Sequence, residues 1–193
     1  MIDVILASTS PRRRSLLEEA GISFRIIAPD VEELEPGHLS PNDLCAANAK
    51  RKALAVAASE PDAIVIGADT IVVMEETVFG KPKDLAHASR MLHALAGRSH
   101  HVLTGVCLVR ASTNQCHDWV EVTNVLFRPL PEINIPAYLA RIQPLDKAGA
   151  YSAQEDQGDL IANVQGCLQN VIGLPTPTLL QALQHFFIPK PLP

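Results

Sequence analysis

The chain has 193 residues, enough for one domain, or one domain with two lobes, around a proper core, and 47% of them are hydrophobic, too many for a disordered chain. A net charge of −5 speaks against a nucleic-acid polymer or an anionic membrane as partner, and 4% aromatics leave no platform for stacking single-stranded bases. No run of about 18 apolar residues occurs, and the opening Met1-Ile2-Asp3 lacks the basic start of a signal peptide, so a cytoplasmic protein without a membrane span is expected. Cys45, Cys107, Cys116 and Cys167 show neither a CxxC pair nor a zinc-type spacing and read as reduced and mostly structural.

In chain order, Ile2 to Leu6 predicts a short apolar strand, and Ser10-Pro11 then signals a helix from Arg12 to Ala20 that Gly21 stops. Ser23 to Ala28 reads as a second strand. Pro29 to Pro41 is an acidic loop with Glu32, Glu33 and Glu35, and Ser40-Pro41 opens an alanine-rich helix to about Ser59. Two apolar, β-branched runs follow, Ala63-Ile64-Val65-Ile66 and Ile71-Val72-Val73, read as two strands around Gly67-Ala68-Asp69-Thr70. A turn through Glu75-Glu76 leads to Val78-Phe79 and Gly80-Lys81-Pro82. Leu85 to Leu95 predicts a helix ending at Gly97; Val102 to Arg110 and His117 to Phe127 predict a hairpin. Pro131 to Ile142 reads as a helix and Gln143 to Gly158 as a polar loop of the kind that carries function. Asn163 to Ile172 is irregular or a short strand, Pro175 to Phe187 a helix, and 188–193 a proline-rich tail. The pattern is that of an α/β protein with a mixed sheet flanked by helices.

The chemistry gathers around Asp69. A carboxylate and a hydroxyl between two core-like runs are costly to bury without partners, so Asp69 reads as an acid held at a strand end, able to bind a metal or take a proton from water. A plain turn, with Asp69 bonding its own backbone, is the alternative. Nine of the 16 basic residues fall in four places: Arg12-Arg13-Arg14, Lys50-Arg51-Lys52, Lys81 with Lys83, and Lys147. Arg12 to Arg14 occupy the first turn of a helix, where positive charge opposes the dipole but exposed N–H groups favour a phosphate. Glu33 and Asp69 could share one divalent cation with phosphate oxygens, as Mg²⁺ is usually held. Scattered basic points on an acidic chain, with an acid pair, point to a small polyphosphate. His100-His101, adjacent on a strand, point to opposite faces and read as structural. Ser8 to Ser10 have no histidine and acid at a telling spacing and suit a phosphate loop better than a nucleophile. Trp119 reads as a strand residue.

These residues also carry a resemblance. Ala7-Ser8-Thr9-Ser10-Pro11-Arg12-Arg13-Arg14-Ser15-Leu16-Leu17, Lys52-Ala53, Gly67-Ala68-Asp69-Thr70, Gly80-Lys81-Pro82, Thr104-Gly105-Val106, Asp146-Lys147-Ala148-Gly149-Ala150-Tyr151 and Asn170-Val171-Ile172-Gly173-Leu174-Pro175 resemble the motifs of the Maf nucleoside triphosphate pyrophosphatases, in the family's order. The resemblance implies a single two-lobed domain over 1–187, a twisted mixed sheet along a groove between the lobes, similar to inosine triphosphate pyrophosphatases, and often a homodimer. It implies hydrolysis of a nucleoside triphosphate to the monophosphate and pyrophosphate with a divalent metal cation, Mg²⁺ or Mn²⁺. Asp69 matches the proton acceptor. Ser8, Arg13, Lys52, Lys81 and Lys147 match phosphate-side positions, Glu33 an acid of the metal side, and Arg12, Thr70 and Gln154 positions linked to base choice. Ala150-Tyr151-Ser152-Ala153-Gln154 resembles the branch that prefers dTTP and UTP; the 7-methyl-GTP branch has Glu in that region. An amide offers a pyrimidine both donor and acceptor, whereas a carboxylate only accepts. Glu155-Asp156 and Leu168-Gln169 depart from the usual pattern. The rival readings are a 7-methyl-GTP or modified-purine pyrophosphatase and a nucleotide-binding regulator of cell division without turnover.

Overall fold

The computed structural model describes residues 2–129 and 134–187. The tail at 188–193 and the first residues of the helix expected from Pro131 lie outside them. Strand β1 (Val4–Ala7) is buried throughout. Helix α1 (Pro11–Glu19) follows, burying Leu16 and Leu17, and Gly21 takes the left-handed conformation just beyond its end (φ +71°). The strand expected from Ser23 to Ala28 shrinks to β2 (Arg25–Ile26), an exposed two-residue strand at one end of the sheet order. Helix α2 (Pro41–Ala57) opens with Pro41 in its first turn, and Ser40 Oγ accepts from the Asp43 N–H at 3.2 Å.

The two strands expected around Asp69 are one, β3 (Ile64–Met74), eleven residues long and continuous through Gly67. Asp69 therefore stands in mid-strand, neither at a strand end nor in a turn. Glu75, with φ +57°, turns the chain into β4 (Thr77–Phe79). Helix α3 (Leu85–Leu95) lies where the sequence places it, capped by the Asp84 carboxylate on the His87 N–H at 2.6 Å. The long pair β5 (Ser99–Arg110) and β6 (Gln115–Phe127) is joined by a short 3-10 turn. Then come α4 (Ile135–Arg141), two 3-10 turns in the polar loop, β7 (Ile161–Gln165), α5 (Leu168–Ile172) and α6 (Thr176–Phe187).

Among the described residues seven strands form one mixed sheet, ordered β2-β1-β3-β5-β6-β7, with β4 on β3. β1 runs parallel to β2 and β3, while β4 is antiparallel to β3 and β7 to β6. The chain divides into two compact units. The first holds residues up to Asp69, Thr104–Glu121 and those from Gly173; the second holds Thr70–Leu103 and Val122–Ile172. The first has an apolar core of Ile5, Ala49, Ala53, Val56, Val65 and Val109. The second is built on Met91, Leu92, Leu95, Phe127, Tyr138 and Leu160. Among the described residues no helix is long and apolar enough to cross a membrane.

Candidate active site

In the first unit the site starts from one face of α2. Cys45, Asn48, Ala49, Lys52, Ala53 and Val56 recur at helical spacing and all are buried. A lysine on that stripe needs partners inside the protein. Small residues decide how close the helix comes to the sheet. A Cβ at Gly67 on β3 would stand 2.7 Å from the Ala53 amide nitrogen, and one at Gly105 on β5 would stand 2.5 Å from the Cys45 carbonyl oxygen. With both positions glycine, α2 approaches the sheet at backbone distance, and Lys52 reaches Asp69. Its Nζ donates to Asp69 Oδ1 at 2.7 Å, with both side chains only 9% exposed, and pairs with Glu33 Oε1 at 2.6 Å.

Two residues that sequence reasoning did not single out hold this geometry. Asn48 accepts from the Leu34 N–H (2.7 Å) and donates to the Leu34 carbonyl (3.1 Å), which fastens the acidic loop one residue beyond Glu33. Cys45 donates to the Asp69 carbonyl (3.0 Å) and accepts from the Gly105 N–H (2.9 Å), so its thiol links β3, β5 and α2 at Asp69. Burial, with the Asp69 charge adding to it, pushes that thiol up to about 12, so it stays protonated. The available signal was the pair of polar residues four and seven positions before Lys52 on the same apolar stripe.

Arg13 completes the cluster. Its Nε donates to the Gly173 carbonyl at 2.9 Å and one terminal nitrogen to Ser8 Oγ at 3.3 Å, while Ser8 Oγ also accepts from the Ser10 N–H. Burial lowers the Arg13 pKa and the nearby Asp69 charge raises it. Ser10 makes no side-chain cap on α1, and no acid stands in that helix's first turn, which leaves its N-terminal amides suited to an anion. The three arginines expected together separate: Arg14 pairs outward with Glu18 at 2.8 Å, and Arg12 is half-buried.

Lys147, Lys81, Thr70 and Gln154 belong to the second unit. There Lys147 is buried, its Nζ on the Gln143 carbonyl (2.7 Å), Asp146 Oδ1 (2.9 Å) and Glu155 Oε1 (3.5 Å). The Gly149 N–H donates to the Gly80 carbonyl at 3.1 Å, tying the Lys147 loop to the turn that carries the exposed Lys81. Glu155, a departure from the family pattern, thus acts as a partner for Lys147. Gln154 is exposed and Thr70 half-buried. His100 and His101 do point apart, one buried and one exposed.

The donors at Asp69 and Glu33 fit a hard divalent cation. Both are carboxylates, they converge on one positive centre, the Lys52 ammonium, and two protein oxygens leave room for the water and phosphate ligands that Mg²⁺ keeps.

A mixed sheet with flanking helices, carrying a buried acid–lysine pair beside a serine–arginine loop, defines an α/β protein. The Ham1 protein of Staphylococcus aureus has the same fold, with a TM-score of 0.55 over 95% of this chain and 98% of that one, at 17% identity. The chain belongs to the Maf family: the description "Maf-like protein" matches residues 3–186. It is 44% identical to the dTTP/UTP pyrophosphatase of Pelotomaculum thermopropionicum over 96% of this chain and 97% of that protein. It is 46% identical to the dTTP/UTP pyrophosphatase of Akkermansia muciniphila over 93% and 94%.

Proposed function

We propose that this protein is a nucleoside triphosphate pyrophosphatase that hydrolyses dTTP and UTP to the monophosphate and pyrophosphate, as a house-cleaning enzyme of the nucleotide pool. The observation that carries the reading is the buried Asp69–Lys52 pair on the family's Gly-Ala-Asp-Thr motif. The named relatives support the pyrimidine substrates over 7-methyl-GTP, and the presence of Asp69, Lys52, Lys81 and Lys147 together supports turnover over a purely regulatory role.

Asp69 is the catalytic residue. Lys52 engages its Oδ1, and the other oxygen, Oδ2, orients a water and takes its proton as that water attacks the α-phosphorus. The bond from the α-phosphorus to the bridging oxygen breaks, and pyrophosphate leaves with the electron pair. Lys52, Arg13 and the α1 amides meet the charge that moves onto the leaving group. Ser8 positions Arg13 through its hydroxyl. A divalent ion, Mg²⁺ or Mn²⁺, when bound by Asp69 and Glu33, supplies further neutralisation of phosphate charge. Lys81 and Lys147 are assigned phosphate contacts and Arg12, Thr70 and Gln154 base contacts on the family motifs. The reading includes a cytoplasmic homodimer.

The experiment is to measure pyrophosphate against orthophosphate release over a nucleotide panel, with and without Mg²⁺. Pyrophosphate from dTTP and UTP, dependent on the ion, supports the reading. Orthophosphate release, no turnover, or a preference for 7-methyl-GTP overturns it.

A further inference from the structure

Three side chains that the reaction does not use meet beside the turn between β5 and β6. Cys107 Sγ and Cys116 Sγ are 3.8 Å apart, Cys116 Sγ is 3.9 Å from Asp118 Oδ1, and all three donor atoms lie within 4.8 Å of one another. Cys107 forms the buried wall, packed into the apolar core of the first unit, while Cys116 and Asp118 are exposed. From the solvent side Lys50 Nζ approaches Asp118 Oδ1 at 3.3 Å. Linear spacing concealed this group, because a tight turn between paired strands brings residues nine and eleven apart to one spot.

We propose that Cys107, Cys116 and Asp118 form a binding site for a soft divalent cation of the zinc class, separate from the Asp69 site. Tetrahedral zinc with metal–sulfur bonds of about 2.3 Å holds two sulfurs about 3.8 Å apart, which is the spacing here. Thiolates with a carboxylate are a donor set for zinc, whereas Mg²⁺ takes oxygens. Charge closes as well: two thiolates and one carboxylate carry −3, the ion +2 and Lys50 +1. Lys50 also fixes the carboxylate from outside, as outer partners of metal ligands do. Solvent access through Cys116 gives the ion an entry path, and water takes the fourth position. Binding forms two metal–sulfur bonds and releases the two thiol protons to solvent, with no change of oxidation state, so affinity falls with acidity. The alternative for such a pair is a disulfide, but the sulfurs stand at metal spacing and the carboxylate has no part in a disulfide.

The test uses the full chain, reduced and stripped of metal, titrated with Co²⁺ and then with Zn²⁺. The expected result is thiolate-to-cobalt charge-transfer absorption saturating at one ion per chain, bleached by Zn²⁺, with proton release and a rise in Tm. Cys116→Ser, at an exposed position, abolishes the absorption, and Asp118→Asn weakens binding about tenfold or more. Absence of the absorption in the wild type overturns the proposal. So does its survival in Cys116→Ser, which would place the ion on another thiol such as Cys45 or Cys167. Loss of two hydrogens from the pair by mass spectrometry in place of metal uptake overturns it too.

Discussion

At Lys52 a single ammonium with almost no water around it answers to two carboxylates, Asp69 and Glu33. That arrangement separates catalysis from stability at Asp69. Asn at this position keeps an oxygen for Lys52, and Glu33 keeps the ion pair, so Asp69→Asn is expected to cost no more than about 2 kcal/mol of stability. Without a base for the attacking water, kcat is expected to fall about 10³-fold. Turnover near the wild-type rate, measured by pyrophosphate release, would remove Asp69 from its central role. Asn48 makes the complementary case. Asn48→Ala frees the loop at Leu34 and leaves a backbone donor and acceptor without their partner, with an expected loss of about 1–3 kcal/mol in urea unfolding. Activity falls with it, because Glu33 loses its anchor. At this scale the sequence exposed Asp69, since an acid between two apolar runs is anomalous by itself. Asn48 and Cys45 were not legible, because their meaning depends on which loop and which strands α2 faces.

The packing of α2 against β3 and β5 is set by what is missing from Gly67 and Gly105. Gly67→Ala drives a methyl group into the helix backbone, where neither partner can rotate away, and is expected to cost about 3 kcal/mol or more and to displace Lys52. Gly80 is the control: nothing lies within 4 Å of a Cβ there and its φ is ordinary, so Gly80→Ala is expected to change stability by less than about 0.5 kcal/mol. Equal losses at the two positions in equilibrium unfolding would contradict the close-approach account. The same glycine explains a misreading. Gly67 looked like a break between strands, because a glycine inside an apolar run signals either an interruption or a close approach, and only the tertiary partner decides. Helix α3 was legible to the residue, ending at the Gly97 stop, and the structure adds the Asp84 cap at its start. β2 fell short of its reading: at the end of the sheet order only Arg25 and Ile26 pair, with Ile5 and Leu6 of the four-residue β1, and both are exposed.

Across the whole molecule the fold class was legible, whereas the places where the chain passes between two units were not. The boundary cuts through β3, β5 and β6, and a boundary inside a strand leaves no composition shift for sequence to show. One buried base in the second unit reports on global stability. His100 is fully buried, stacks edge-on with Phe127 at 4.7 Å, and shares a 3.0 Å hydrogen bond with the Tyr151 hydroxyl, while among the described residues its Nδ1 has no partner. Burial lowers its pKa from 6.5 to about 4, with the neighbouring His101 adding a smaller push in the same direction. Between those two values the unfolded chain binds a proton that the folded chain refuses, so stability rises with pH across this window and falls as the solution is acidified through it. At 1.36 kcal/mol per unit the full span amounts to about 3 kcal/mol. His100→Phe removes the titration and keeps an aromatic ring in the site. Subtracting the variant's unfolding free energy from that of the wild type cancels the carboxylates common to both. The difference is expected to grow by about 3 kcal/mol in the variant's favour from pH 7 to pH 4. A difference that stays flat between pH 6.5 and 4 would mean that water or a partner reaches the imidazole in the folded state.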